Sequence, residues 1–200
     1  MRKLLVVLLT FLSFCVVADE SVILGSFERQ TEEFEMEYFG FSFETSWNGF
    51  GVQFLNFVDS GYYFAGKFSH LSADTDICVG SQCVSPDTDT IQTVFSGEIG
   101  WNYRNLTPFF GLSFFNEESE GETVDYSGFI TGAWLDFDTF KLRGAITSID
   151  QTEFTNARIW FSGGLLYQMD NNWAFGAEIG METDGDGNGF RFSLSLGRSL

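Results

Sequence analysis

Residues Gln92–Tyr103 read QTVFSGEIGWNY, with Thr93, Phe95, Gly97, Ile99, Trp101 and Tyr103 on one face and Gln92, Ser96, Glu98, Gly100 and Asn102 on the other. A period of two with large apolar groups on one side is the signature of a β-strand between an apolar and a polar medium. The pattern recurs over Phe34–Thr45, Phe50–Val58, Tyr62–Leu71, Ile91–Tyr103, Thr107–Phe115, Val124–Leu135, Phe140–Ile149, Ala157–Met169, Trp173–Glu182 and Phe190–Leu200. Connectors alternate in length. Asp59–Gly61, Arg104–Leu106, Asp136–Thr139 and Asp170–Asn172 are tight, whereas Ser72–Thr90, Asn116–Thr123, Asp150–Asn156 and Thr183–Gly189 are longer. Tight turns on one rim and longer loops on the other predict an all-β, antiparallel up-and-down barrel of about ten strands, and eight or twelve also fit.

Arg2 and Lys3 precede the apolar run Leu4–Val17, which ends in Val16-Val17-Ala18. A basic start, an apolar stretch and a small-residue end predict a secretory signal, residues 1–18, cleaved after Ala18. The run is shorter than the ~20 apolar residues that span a bilayer as a helix. Cys15 follows Phe14, where lipidation requires a small residue. Residues 19–33 are acidic and read as a leader or, through Val22-Ile23-Leu24, a short extra strand, with the barrel proper over 34–200.

The chain carries 28 acidic against 10 basic residues, a formal charge of −18, and losing Arg2 and Lys3 takes it to −20. Such a charge excludes binding to nucleic acid through phosphates. Spanning a membrane falls to strands, because no later stretch is apolar enough for a helix.

A soluble, secreted or periplasmic barrel shows the same alternation with its apolar face turned inward and a lysine-rich exterior. Here Lys67 and Lys141 are the only lysines after the signal, and the polar faces are small, as in Arg191, Ser193, Ser195, Gly197 and Ser199. The apolar faces are aromatic: Phe39, Phe41 and Phe43; Phe50 and Phe54; Phe110 and Phe114; Trp173 and Phe175; Phe190 and Phe192. Small groups suit a crowded lumen and aromatic rings suit membrane interfaces, which predicts a transmembrane β-barrel. Over nearly all of its mature length the chain resembles the small bacterial outer-membrane β-barrel proteins. That group usually ends in an aromatic residue, whereas this chain ends in Leu200. The resemblance implies outer-membrane residence, periplasmic termini, contact with outer-membrane lipid and lipopolysaccharide, and passage through the outer-membrane assembly machinery.

With the apolar faces outward, Lys67, Lys141, Arg143, Arg158 and Arg191 point into the lumen with Glu44, Glu98, Glu178 and Glu182. Opposite charges in so narrow a space are expected to pair, either as a structural network or as the lining of a narrow cation-favouring channel. Cys78 and Cys83 are expected to form a disulfide in an oxidising compartment. Acidic residues cluster in the longer connectors, at Asp74, Asp76, Asp87 and Asp89, at Glu117, Glu118, Glu120 and Glu122, and at Asp184 and Asp186. Oxygen ligands of this kind suit weakly bound calcium or magnesium. Asp184, Asp186, Asn188 and Gly189 resemble the first half of an EF-hand loop, although Ser195 stands at the twelfth position. A flexible hairpin uses the same residues.

His70 and Ser72 share a face, and His-x-Ser is similar to the spacing in lipid A deacylases, barrel enzymes of the outer membrane in which such a histidine activates serine as nucleophile. Ala73 stands where that family has asparagine. No zinc cluster, phosphate-binding glycine loop or nucleophile elbow is present. The reading that results is a non-enzymatic surface or envelope-structural barrel without a cofactor, with a narrow channel and a His70/Ser72 hydrolase as alternatives.

Overall fold

The computed structural model describes residues 20–36, 41–58, 61–79, 82–85, 90–119, 121–150, 157–184 and 187–200. The expected signal peptide lies outside the described residues, as do Asp87, Asp89, Glu120 and Asp186. The strands are β1 (Glu20–Met36), β2 (Phe41–Phe57), β3 (Tyr62–Val79), β4 (Gln82–Val84), β5 (Thr90–Trp101), β6 (Leu106–Ser119), β7 (Glu122–Asp136), β8 (Phe140–Ile149), β9 (Arg158–Gln168), β10 (Trp173–Asp184) and β11 (Gly187–Ser199). All except β4 follow one another round a closed antiparallel ring, which β1 completes by pairing with both β2 and β11. Ten strands therefore form the barrel, and β4 is a short return that pairs only with β3.

The count matches the expectation, but the first two strands do not. Glu20–Met36 is a full barrel strand, paired along its length, so the stretch expected as a leader or short extra strand is part of the wall and extends beyond residue 33. Phe34–Thr45 and Phe50–Val58 are not two strands, because Phe41–Phe57 runs unbroken. The physical reason is a change of face along one regular strand. Phe43 shares parity with Trp47, Leu55 and Phe57, while the exposed Glu44 shares it with Phe50 and Val52. Glu44 thus faces outward, contrary to the expected lumenal position.

Every barrel wall turns a row of bulky apolar side chains outward. Phe110 is 53% exposed beside Phe109 at 3%, and Leu142 is 39% exposed beside Lys141 at 2%. Turning rings and aliphatic chains outward while burying a lysine is the reverse of a soluble barrel. The shortest wall, β8, has ten residues, about 33 Å of strand, which the usual tilt brings close to the ~25 Å apolar band of a membrane barrel. Tyr62, Trp101, Tyr103, Phe137, Tyr167 and Trp173 lie exposed near the tight-turn rim. Amphipathic rings there suit a membrane–water interface.

The four tight turns expected on that rim are present. Gly61, Arg104, Asp138 and Asn172 adopt positive φ in them, the backbone twist a short hairpin connection demands. On the opposite rim, strands continue where loops were expected. β6 reaches Ser119 and β7 starts at Glu122, with Gly121 at φ 85° in the turn. β10 reaches Asp184 and β11 starts at Gly187. Outward residues of these extensions are polar: Asn48, Ser46 and Glu44 follow Phe50 on β2, and His70, Ser72 and Asp74 follow Phe68 on β3. β1, β2 and β3 thus rise past the apolar band as a crown, with Phe41–Gly49 adding about 30 Å of strand.

Candidate functional site in the barrel lumen

The lumen has two storeys. Near the tight-turn rim, Val22, Leu24, Leu55, Phe57, Tyr63, Ala65, Phe109, Ile130, Trp134, Ala145, Leu166 and Ala174 form one buried cluster. Four rings form its centre: Phe57 to Tyr63 at 5.0 Å, Phe57 to Trp134 at 5.7 Å and Tyr63 to Phe109 at 5.7 Å between centroids. Glycines make the room. A Cβ on Gly132 would stand 2.6 Å from Phe109 Cζ, and one on Gly100 2.9 Å from Phe109 Cβ. Rings at these separations pack tilted or edge to face against one another, so this storey is a close-packed apolar plug.

Hydroxyl and carboxylate groups tie the plug to the charges above it. Trp134 Nε1 donates to Tyr63 Oη at 3.1 Å, and Tyr63 Oη donates to Glu98 Oε2 at 2.8 Å. Arg143 Nη2 meets Glu98 Oε1 at 2.6 Å, and its Nη1 meets Glu178 Oε2 at 3.0 Å. The guanidinium also lies 4.9 Å from the centre of the Phe109 ring. Below it, Lys141 pairs with Asp136 and with Glu20 at 3.1 Å, its ammonium 4.9 Å from the Phe57 ring centre. Buried charges persist only when paired and hydrogen-bonded in this way.

Above the plug a cavity of about 130 Å³ is lined by Glu28, Lys67, Glu98, Arg143, Glu178 and Arg191, with Ser26, Ser69, Ser96, Ser113, Ser193 and Ser195. Glu28 accepts from Lys67 at 2.9 Å and from Ser26 and Ser69 at 2.8 Å each. Higher still, Arg158 Nη1 meets Glu32 Oε1 at 2.8 Å, and Gln92 Nε2 donates to Tyr126 Oη at 2.8 Å. Glu117 stands beyond the apolar band, between outward Asn116 and Glu118. Burial, and then the nearby charge of Glu32, push its carboxyl above the usual carboxylate range.

All eight expected lumenal residues, Lys67, Glu98, Lys141, Arg143, Arg158, Glu178, Glu182 and Arg191, lie on inward faces, and all but Glu182 belong to ion pairs. Their partners Glu20, Glu28 and Glu32 lie on β1, where the sequence reading offers at most a short strand through Val22-Ile23-Leu24. Its alternation was legible, since Val22, Leu24, Ser26, Glu28, Gln30 and Glu32 occupy every second place. The aromatic plug was missed for another reason: Phe57, Tyr63, Phe109 and Trp134 sit one residue from aromatic or aliphatic neighbours that face lipid. Phe109 next to Phe110 carries no parity signal of its own.

The remaining candidates fall outside the lumen. Cys78 and Cys83 form the disulfide and staple β3 to β4. His70 and Ser72 share the outward face but do not bond to each other. His70 Nδ1 lies 3.2 Å from Thr93 Oγ1 on one side, and Ser72 Oγ donates to the Asn48 carbonyl at 3.4 Å on the other. The serine therefore lacks the base that would activate it. Asp184 and Asn188 sit on the paired strands β10 and β11, and the stretch after Asn188 is strand rather than a calcium-binding loop. Among the described residues, three or more potential ligands nowhere converge on a metal site.

A closed antiparallel ring with an apolar exterior, a plugged lumen and one tight-turn rim narrows the comparison to membrane barrels. The translocator domain of the autotransporter NalP from Neisseria meningitidis superposes with a TM-score of 0.57 at 11% identity, covering 98% of this chain and 95% of that one. The β domain of the Bordetella autotransporter Brka gives 0.52 at 10% identity, covering 89% and 98%. This is the fold of an outer-membrane β-barrel. Identity this low speaks to the fold alone. No protein-family model matches the sequence, and no curated protein does.

Proposed function

We propose that the protein is an integral, non-conducting barrel of the bacterial outer membrane that presents an acidic β-sheet crown outward as a surface or envelope-structural element. The observation that carries the reading is the plug, whose Phe57, Tyr63, Phe109 and Trp134 rings fill the lumen beneath a vestibule. A through-channel requires a continuous aqueous path, and the plug argues against it. The crown supplies the working surface, since Glu33, Glu44, Asp74, Glu118, Glu122 and Asp125 are all exposed on strand extensions. A rigid paired sheet holds such charges in fixed register, where loops would not. The signal at 1–18, periplasmic termini, assembly by the outer-membrane machinery and bridging of crown carboxylates to lipopolysaccharide phosphates by calcium or magnesium belong to the same reading.

Two measurements test it together. Fractionation should find the protein in outer membranes, resisting carbonate extraction and showing heat-modifiable migration. Planar bilayers containing the purified barrel should show no conductance steps. Regular single-channel steps from the wild-type protein would overturn the non-conducting reading.

A further inference from the structure

Cations are scarce on the outside of this barrel. Lys67, Lys141, Arg143, Arg158 and Arg191 are paired in the lumen, while Arg104 lies in a tight turn and Arg198 stands opposite Trp173 at that same end. Among the lysines and arginines of the described residues, only Arg29 faces outward on the crown side. On its face of β1, Ile23, Gly25 and Phe27 precede it and Thr31 and Glu33 follow, so Arg29 is the first polar side chain above the apolar band. Its cross-strand neighbours Asn48 and Phe192, and Phe27 and Thr31 along the strand, carry no charge. In a chain with 28 acidic residues this exposed guanidinium has no carboxylate partner among the described ones, at the height where lipid headgroups lie.

Below Arg29 the outer wall is recessed. Gly25, Ala177 and Leu194 form the floor of an open groove, with Phe27 and Phe50 on one side and Phe175 on the other. Small residues make the recess, because Gly25 stands in register between Val52 and Leu196, and Ala177 between Leu165 and Leu194. A Cβ on Gly25 would meet only the Leu196 carbonyl oxygen, at 3.9 Å, so packing does not demand glycine there. Phe27 is held at the head of the groove by edge contact with Phe50 at 5.8 Å and a tilted contact with Phe192 at 6.3 Å. The groove measures about 630 Å³, roughly four times the ~150 Å³ cavity that holds benzene, which suits a hydrocarbon chain rather than a small solute. Gly25 lies four residues below Arg29, about 13 Å along the strand, so a chain lying in the groove leads up to the guanidinium.

We propose that Arg29 and this groove dock one anionic, phosphate-bearing lipid of the leaflet on the crown side, its phosphate held by Arg29 and Asn48 and one acyl chain laid over Gly25 and Ala177. The proposal rests on the outer-membrane reading above and gives that reading a fixed lipid position. A guanidinium fork matches two phosphate oxygens at once, and the side-chain amide of Asn48 adds a donor beside it. Charge selects the place as well as the ligand. The crown carboxylates repel a phosphate elsewhere on this rim, so an anionic headgroup reaches the wall directly only at Arg29.

The test is native mass spectrometry of the delipidated barrel in detergent, titrated with phosphatidic acid and with phosphatidylcholine of identical acyl chains. One phosphatidic acid per barrel is expected to be retained, with phosphatidylcholine weaker by about fivefold or more. Arg29→Gln is expected to abolish that preference, and Arg104→Gln, at the opposite rim, to keep it. Gly25→Leu fills the groove while leaving Arg29 in place, and is expected to weaken both lipids by about fivefold or more. Inorganic phosphate in molar excess is expected to leave the bound lipid in place. Heat-modifiable migration establishes that each variant is folded, and Ala177→Leu carries the groove arm if Gly25→Leu does not fold. Equal retention of the two lipids by the wild type, an unchanged preference in Arg29→Gln, wild-type retention with the groove filled, or displacement by inorganic phosphate would overturn the proposal. A protein that fractionates with outer membranes yet shows no lipid preference loses this proposal alone, whereas absence from outer membranes removes the reading beneath it.

Discussion

The hydroxyl of Tyr63 donates a 2.8 Å hydrogen bond to Glu98, and through it the aromatic plug and the charged vestibule become one network. The same hydroxyl accepts from Trp134 at 3.1 Å, and the same carboxylate receives Arg143 at 2.6 Å. Tyr63 is 1% exposed and Trp134 5%, so water cannot replace either contact.

Tyr63→Phe keeps the ring packing of the plug and removes that hydroxyl. It orphans the indole N–H of Trp134 and one oxygen of Glu98, and a buried polar group left unpaired costs about 1–3 kcal/mol. Urea unfolding of the barrel in detergent or lipid should show a loss in that range. A variant as stable as the wild type would mean the network contributes nothing.

Removing the plug tests what it does. Phe109→Ala with Trp134→Ala deletes two of the four rings and the faces over which Arg143 lies. Core truncations of this kind cost about 3–5 kcal/mol each, so the doubly truncated barrel should be destabilised and its lumen wetted. Planar bilayers should then show conductance steps that the wild-type protein lacks. A folded double variant that still blocks current would locate the seal elsewhere in the lumen.

The order in which features became legible follows the physics of alternation. Gln92–Tyr103 shows the fold from sequence because lipid and lumen impose opposite chemistry on alternate residues, and there the two faces differ sharply. Near the tight-turn rim the rule fails, since the plug is as apolar as the lipid face and Phe109-Phe110 or Trp134-Leu135 lose their contrast. β1 was hidden in the opposite way. Its upper half crosses the crown, where both faces meet water, and Glu28-Arg29-Gln30-Thr31-Glu32-Glu33 is polar throughout. The ion pairs are half legible: the cations with Glu98 and Glu178 are placed by parity, but Glu20, Glu28 and Glu32 lie on β1, where the sequence shows at most a short strand. Nothing in the sequence indicated which inward residues would plug the lumen and which would surround a cavity, because that depends on height in the barrel as well as face.

Glu117 offers a pH-dependent test. Burial, and then the nearby charge of Glu32, hold its carboxyl above the usual carboxylate range. A raised carboxyl contributes its full stability below the unfolded-state value and loses it as pH rises through the folded-state value. The wild-type protein is therefore penalised at neutral pH by an ionised Glu117. Glu117→Gln should be the more stable of the two at pH 7 to 8, with an amide oxygen still placed to accept from Tyr126. The difference should shrink on acidification and vanish below about pH 4, where both side chains are neutral. Unfolding midpoints of the two proteins across this range provide the check. A variant less stable at neutral pH would show that Glu117 is held by contacts stronger than its desolvation.

The direction of the walls is tested by moving a charge across them. Phe110 faces out near the middle of the β6 wall and is 53% exposed, whereas Asn116 faces out six residues higher, on the crown. An arginine on the lipid face costs about 2–4 kcal/mol at the bilayer midplane and close to nothing near the interfaces. Phe110→Arg should lower folding stability in lipid vesicles by an amount in that range, and Asn116→Arg should leave it within about 0.5 kcal/mol of wild type. In detergent micelles, whose interior adapts around a single charge, the gap between the two variants should narrow. Equal tolerance of arginine at both positions in vesicles would mean that Phe110 does not face hydrocarbon, and the outward assignment of the apolar faces would fall with it.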